Sequence, residues 1–176
     1  MMARAVLLTG GNLGEVAQTL AAARRKLAER AGRELSASML YESESWGFEA
    51  PERFLNQVLV LDTLLEPEQL LDCCQQIEKE GGRVRPQSQT PVLQNVKGQS
   101  DADESNPPLR QYSSRSLDID ILFYGDQVID TPRLQIPHPL LHRRGFVLRP
   151  LAEVLPDFVH PILHKTVSQL LDELKE

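Results

Sequence analysis

Cysteine is nearly absent: the 176 residues hold two, and they are neighbours, Cys73 and Cys74. Adjacent cysteines rarely pair, so a disulfide framework is excluded and two free thiols fit a reducing, cytoplasmic setting. Neither has a CxxC partner or a histidine at ligand spacing, and in the helical run Leu70-Leu71-Asp72-Cys73-Cys74 they read as small hydrophobes. Long apolar stretches are also missing. None approaches the roughly 18 residues of a membrane span, and the short run from Arg4 leads into Gly10-Gly11-Asn12, which reads as a strand and not a signal peptide. Basic charge is not in excess. A net charge of -6 argues against a general nucleic-acid binder, whose footprint is positive. The four histidines form no HExxH pattern, so no zinc site is expected.

What remains is the composition of an ordinary globular chain, 41% hydrophobic and 25% charged, long enough for one domain over residues 1–176 with one sizeable core. Arg4 to Thr9 reads as a buried strand with a sharp exit turn at Gly10-Gly11-Asn12. Val16, Leu20, Ala23 and Leu27 recur at helical spacing, closed by Gly32. Leu35, Ala37, Met39 and Tyr41 alternate as a half-buried strand, and Phe54 to Leu65 is apolar enough for a central one. Pro67 suits the first position of a helix that turns Leu70, Leu71, Cys74 and Ile77 inward.

Residues 83–115 form a long loop, polar and without periodicity over most of its length, and are expected to be mobile. Alternation resumes at Leu117, Ile119, Ile121 and Phe123, with Asp118 and Asp120 on the other face. A small hairpin near Val128-Ile129, a Pro-flanked helical turn near Pro150 and a last helix with a Thr166/Gln169 capping box complete the chain. The order β-α-β-β-α-β predicts an α+β, ferredoxin-like antiparallel sheet with helices on one face, decorated by the C-terminal hairpin and helices.

Two carboxylates two apart on a strand lie roughly 6.5–7 Å from one another on one face. Unpaired they repel; Mg²⁺, which takes oxygen ligands and keeps waters and phosphates, relieves that repulsion. A sheet face bathed in solvent would carry the same pattern without a metal. Eight of the fourteen arginines (Arg83, Arg85, Arg110, Arg115, Arg133, Arg143, Arg144 and Arg149) fall in one region, residues 83–149, of this acidic chain, and Arg suits bidentate phosphate recognition. Single arginines also serve as surface charge. His138, between two prolines, is held stiffly. Trp46, Phe54 and Phe146 could stack on a flat heterocycle or belong to the core, and Asn56 offers both a donor and an acceptor edge.

In order along the chain, several motifs resemble one family. They are Gly10-Gly11-Asn12-Leu13-Gly14, Phe54-Leu55-Asn56, Ile77-Glu78 with Gly82-Arg83-Val84-Arg85, Arg115-Ser116-Leu117-Asp118-Ile119-Asp120, Ile136-Pro137-His138 and Arg144-Gly145-Phe146. The family is the 6-hydroxymethyl-7,8-dihydropterin pyrophosphokinases of folate biosynthesis. The resemblance implies transfer of pyrophosphate from ATP, the co-substrate, to the pterin alcohol, giving AMP. It implies two Mg²⁺ ions on Asp118 and Asp120, with Arg115, Arg83 and Arg85 as further catalytic residues. Glu78, Arg115, Ile119, His138 and Arg144 would contact ATP; Ser43, Glu44, Ser45, Phe54, Asn56 and Phe146 would bind the pterin, with Gly11 and Asn12 lining the pocket.

A monomer in the cytoplasm is expected, acting on small molecules, with neither nucleic acid nor membrane as partner. The alternatives are a ferredoxin-like ligand-binding or regulatory domain and a Mg²⁺-dependent nucleotide phosphohydrolase. Before Arg115 the chain departs from the family pattern. Gln111-Tyr112-Ser113-Ser114 lacks the usual leading basic residue and has Ser for Gly or Ala, and the 83–115 loop is longer than expected.

Overall fold

The apolar strand at the N-terminus lies in the middle of the sheet. The computed structural model describes residues 2–11, 16–43, 54–81 and 117–174. In chain order these form β1 (Ala3–Gly11), α1 (Val16–Arg30), β2 (Arg33–Ala37), β3 (Tyr41–Ser43), β4 (Phe54–Thr63), α2 (Pro67–Gly81) and β5 (Asp118–Tyr124). There follow β6 (Ile129–Asp130), β7 (Gln135–Ile136), a 3-10 turn (Leu141–Arg143), α3 (Gly145–Val154) and α4 (Val167–Glu173). The strand order is β2-β4-β1-β5, with β3 also on β4, and every neighbour is antiparallel. β6 and β7 pair separately as the expected hairpin.

β1 and β4 are covered on both faces, which is why their sequences are continuously apolar and do not alternate. On one face Ala5, Leu7, Leu59, Leu61, Ile119 and Ile121 pack against Leu20, Ala23 and Leu27 of α1 and Leu70, Cys74 and Ile77 of α2. Each fully buried Leu or Ile there contributes about 1.5–3 kcal/mol. Cys74 is buried as a small apolar group, and burial pushes its thiol pKa well up. Arg30 and Lys26 of α1 share Glu80 of α2; hydrogen bonds, first from Arg30 and then from Lys26, draw its carboxyl down to about 2. Gly32, after α1, passes so close to β4 that a Cβ would sit 2.0 Å from the Asp62 carbonyl oxygen. Only glycine fits this approach.

The other face is not bare. Val6, Leu8, Val58, Val60, Leu122 and Phe123 pack under α3 and α4 through Val147, Leu148, Leu151, Val167 and Leu170. Helices therefore cover both faces, where the sequence reading put them on one. The α4 stripe and its capping box are as read, with Thr166 Oγ1 accepting from Gln169 N–H and Gln169 Oε1 accepting from Thr166 N–H.

Four local readings are corrected. The strand expected over Leu35 to Tyr41 is split, with a register shift between Glu34 and Ser36, and Leu35 and Met39 point to solvent. Ser38 fills the break: its Oγ accepts from Val58 N–H and its own N–H donates to Val58 O. Phe123 is on the opposite face from Ile119 and Ile121, because Ile121 pairs with Leu7 and Phe123 with Val6, leaving Leu122 as an extra, bulged residue. Pro150 is inside α3, not beside a short helical turn. Gly10 and Gly11 are the last residues of β1 and not the exit turn.

Candidate functional site

The register of β4, β1 and β5 assembles the site. Gly10 pairs with Asn56 on one side and Asp118 on the other, while Leu8 pairs with Val58 and Asp120. Because strand side chains alternate, Asn56, Asp118 and Asp120 share the face that α3 and α4 cover further down. There the sheet opens into a cavity of about 180 Å³ lined by Leu8, Gly10, Gly11, Phe54, Asn56, Asp118, Asp120, Arg144 and Phe146.

One wall is built for a flat polar edge. Asn56 is 6% exposed and its Nδ2 donates to Ser43 Oγ at 3.1 Å. Its Oδ1 lies where a Cβ on residue 10 would be 2.6 Å away, so glycine at that position lets the carboxamide lie over β1. The facing wall is Phe146, with the Arg144 guanidinium 5.5 Å from its ring centroid, within cation–π reach. Arg144 is the N-cap residue of α3, which puts both side chains at the helix start and over the sheet.

His138 flanks the acidic end. Its N–H donates to Leu122 O at 3.1 Å and its Nδ1 accepts from Leu140 N–H at 3.2 Å. Burial lowers its pKa first; Asp120 raises it and Arg144 lowers it again. A neutral ring accepting at Nδ1 carries its proton on Nε2. β5 is the last strand of the sheet, and Glu78 Oε2 accepts its Ile119 N–H at 2.7 Å. Asp118 and Asp120 thus flank a backbone amide held from α2.

Residues 6–156 match the profile of the 7,8-dihydro-6-hydroxymethylpterin-pyrophosphokinase (HPPK) family. The chain belongs to that family. It is 38% identical over 161 residues to the 2-amino-4-hydroxy-6-hydroxymethyldihydropteridine pyrophosphokinase of Porphyromonas gingivalis, covering 91% of this chain and 95% of that one. The Synechocystis sp. protein of the same name is 36% identical over 171 residues, 97% of this chain and 75% of its own. In structure the chain is similar to wild-type Plasmodium falciparum HPPK-DHPS, with a TM-score of 0.67 at 16% identity over 98% of this chain. That likeness shows the fold. This chain spans 45% of the length of that longer protein.

Of the residues read as an HPPK site, Asp118, Asp120, Asn56, Phe54, Arg144 and Phe146 line one cavity. Ser43 stands behind Asn56 as its hydrogen-bond partner, and His138 is close enough to Asp120 and Arg144 to feel both charges. Glu78 and Ile119 do not line that cavity; they bond to each other at the β5 edge. Arg83, Arg85, Arg115, Glu44, Ser45, Asn12 and Trp46, with the 83–115 loop and Arg110, lie outside the described residues.

Leu8 lines the cavity without belonging to any of the motifs. The parity of β1 places it on one face with Gly10, but their partners depend on register. Among the described residues no group of three or more His, Cys, Asp or Glu is arranged to hold a metal, and no helix is long and apolar enough to cross a membrane.

The donor set of the cavity suits one hard cation chemistry. Two carboxylates from one strand supply oxygen ligands only, short of a full shell, and Mg²⁺ is bound in that way, with waters and substrate phosphates completing it. Asp118 and Asp120 are the residues that would hold it.

Proposed function

We propose that the cavity under α3 is where this chain transfers pyrophosphate from ATP to 6-hydroxymethyl-7,8-dihydropterin, the pterin lying between Phe146 and the Asn56 wall and the phosphates gathering over Asp118 and Asp120. One observation carries this reading: the row Asn56–Gly10–Asp118 across three strands. Two interstrand spacings make about 10 Å, enough for a fused two-ring heterocycle and its one-carbon arm between the amide and the carboxylate.

Asn56 reads the pyrimidine edge with one donor and one acceptor, and Phe54 and Phe146 supply apolar surface for the ring. The hydroxymethyl oxygen attacks the β-phosphorus of ATP in line. An O–P bond forms to Pβ, the bond from Pβ to the α,β-bridging oxygen breaks, and AMP leaves with that oxygen while the hydroxyl proton passes to solvent. Arg144 faces the phosphates and stabilises charge that grows on them. Neutral His138 offers an Nε2–H donor to a phosphate oxygen. Glu78 holds the strand between the two aspartates. Asp118 and Asp120 would hold two Mg²⁺ ions, which would supply neutralisation of phosphate charge and Lewis acidity.

The strand order β2-β4-β1-β5, antiparallel throughout, supports a ferredoxin-like arrangement. Arg83, Arg85 and Arg115 complete the phosphate contacts in this reading. Free Cys73 and Cys74 suit the cytoplasm. The test is AMP formation from ATP and Mg²⁺ with and without 6-hydroxymethyl-7,8-dihydropterin. AMP only with the pterin supports the scheme. Phosphate release without it would favour a phosphohydrolase.

A further inference from the structure

α3 carries the Phe146 wall at its start, and a single acidic residue ties its other end to the Asn56 wall. Glu153 lies seven residues after Phe146, two turns along the same helical stripe. Its Oε1 accepts both Tyr41 O–H, at 2.9 Å, and Met39 N–H, at 3.1 Å. Tyr41 is the direct register partner of Asn56, and Ser43, two residues on in β3, accepts the Asn56 amide. The carboxylate therefore joins the helix bearing one side of the pocket to the strand pair bearing the other.

Two features indicate a positioning role. A carboxylate in the last turn of a helix opposes the helix dipole, so this position gains nothing from the helix itself. Between the two ends stands Pro150, which has no N–H to donate to Phe146 O four residues earlier. The intrahelical ladder is thus interrupted between the turn that holds Phe146 and the turn that holds Glu153, and a tether on the far end limits bending there. The bond with Glu153 also raises the Tyr41 phenol pKa, moving it further from neutral pH.

We propose that Glu153, through Tyr41 O–H and Met39 N–H, is a positioning residue that sets the spacing between Phe146 and Asn56 and so tunes affinity for the pterin. This deepens the proposed function and rests on Asn56 and Phe146 forming the pterin subsite. The experiment compares E153A, E153Q and Y41F by KM for 6-hydroxymethyl-7,8-dihydropterin, KM for ATP, kcat and thermal midpoint, with N56A and F146A as controls.

E153A should raise the pterin KM about tenfold, equivalent to ~1.4 kcal/mol, with the ATP KM unchanged, since lost positioning of one substrate shows in its own KM. Y41F, which keeps the Met39 bond, should lie between E153A and the parent; E153Q, which keeps an acceptor for both donors, should restore most of the affinity. An unchanged pterin KM in both E153A and Y41F overturns the proposal, as does an equal rise in both KM values. If N56A and F146A also leave the pterin KM unchanged, the subsite assignment itself has failed; if they raise it while E153A does not, only the role of Glu153 has.

Discussion

The two faces of the sheet are built from the same strands and do different work. Under α1 and α2 the positions are closed and mostly apolar: Leu7, Leu59 and Ile119 are at most 4% exposed, and the polar pair Thr9 and Gln57 is buried with hydrogen bonds to backbone. On the reverse, the residues one step along in each strand are apolar only where α3 and α4 cover them. Beyond that cover they become Asn56, Gly10, Asp118 and Asp120. Strand parity lets one segment contribute stability through its odd positions and chemistry through its even ones, so the cavity can be polar without weakening the core behind it. The separation is open to test from both sides.

The largest effect is expected on the open face. D118A or D120A should lower kcat/KM by about 10²–10³-fold, the scale of losing one charge-stabilising group. Circular dichroism and the thermal midpoint should stay close to the parent, since neither side chain packs in a core. Loss of folding in both variants would show that the faces are not separable. The converse change is L59A on the closed face. A fully buried Leu reduced to Ala lowers unfolding free energy by about 2–5 kcal/mol, read by urea titration, while the pterin KM of the folded enzyme stays the same.

Much of this division is legible in the sequence alone. Asp118 and Asp120 share a face by parity alone, Pro67 opens α2, and Thr166 with Gln169 marks the start of α4. What could not be read depends on partners distant in sequence. The bulge at Leu122 appears only when β5 is laid against β1, and it moves Phe123 to the other core. Ser38 breaks its strand because its hydroxyl meets Val58 N–H, a contact across twenty residues. Cover on the second face comes from α3 and α4, whose apolar stripes say that they pack but not on what. The bond from Ile119 N–H to Glu78 likewise depends on where the edge strand lies.

Gly10 sharpens the comparison further, because a single methyl tests whether the open face is shaped at the backbone. G10A would put Cβ 2.6 Å from Asn56 Oδ1 and 3.1 Å from the Leu55 carbonyl oxygen. The carboxamide must then move off Ser43. The pterin KM should rise about tenfold, ~1.4 kcal/mol, with a smaller change for ATP. A variant with both KM values unchanged would mean that Asn56 does not need to lie over β1.

The smallest effect concerns the covered part of the second face, where Phe123 meets His160 edge-on at 5.6 Å between ring centroids. His160 is 4% exposed, and its Nδ1 accepts from Ile162 and Leu163 N–H, both at 3.1 Å. Burial, then the nearby His142 and His164, lower its pKa from 6.5 to about 4. As pH falls below 6.5 the unfolded chain takes up a proton that the folded chain refuses until about pH 4. Folding stability is therefore fully present above 6.5 and drains away across that window. After allowance for solvent screening the loss is about 1–2 kcal/mol. H160N keeps an acceptor for the two N–H groups but does not titrate, so it should flatten the stability profile between pH 6.5 and 4 relative to the parent. Equal slopes in urea titrations across that range would assign the acid sensitivity to other groups and leave His160 as packing alone.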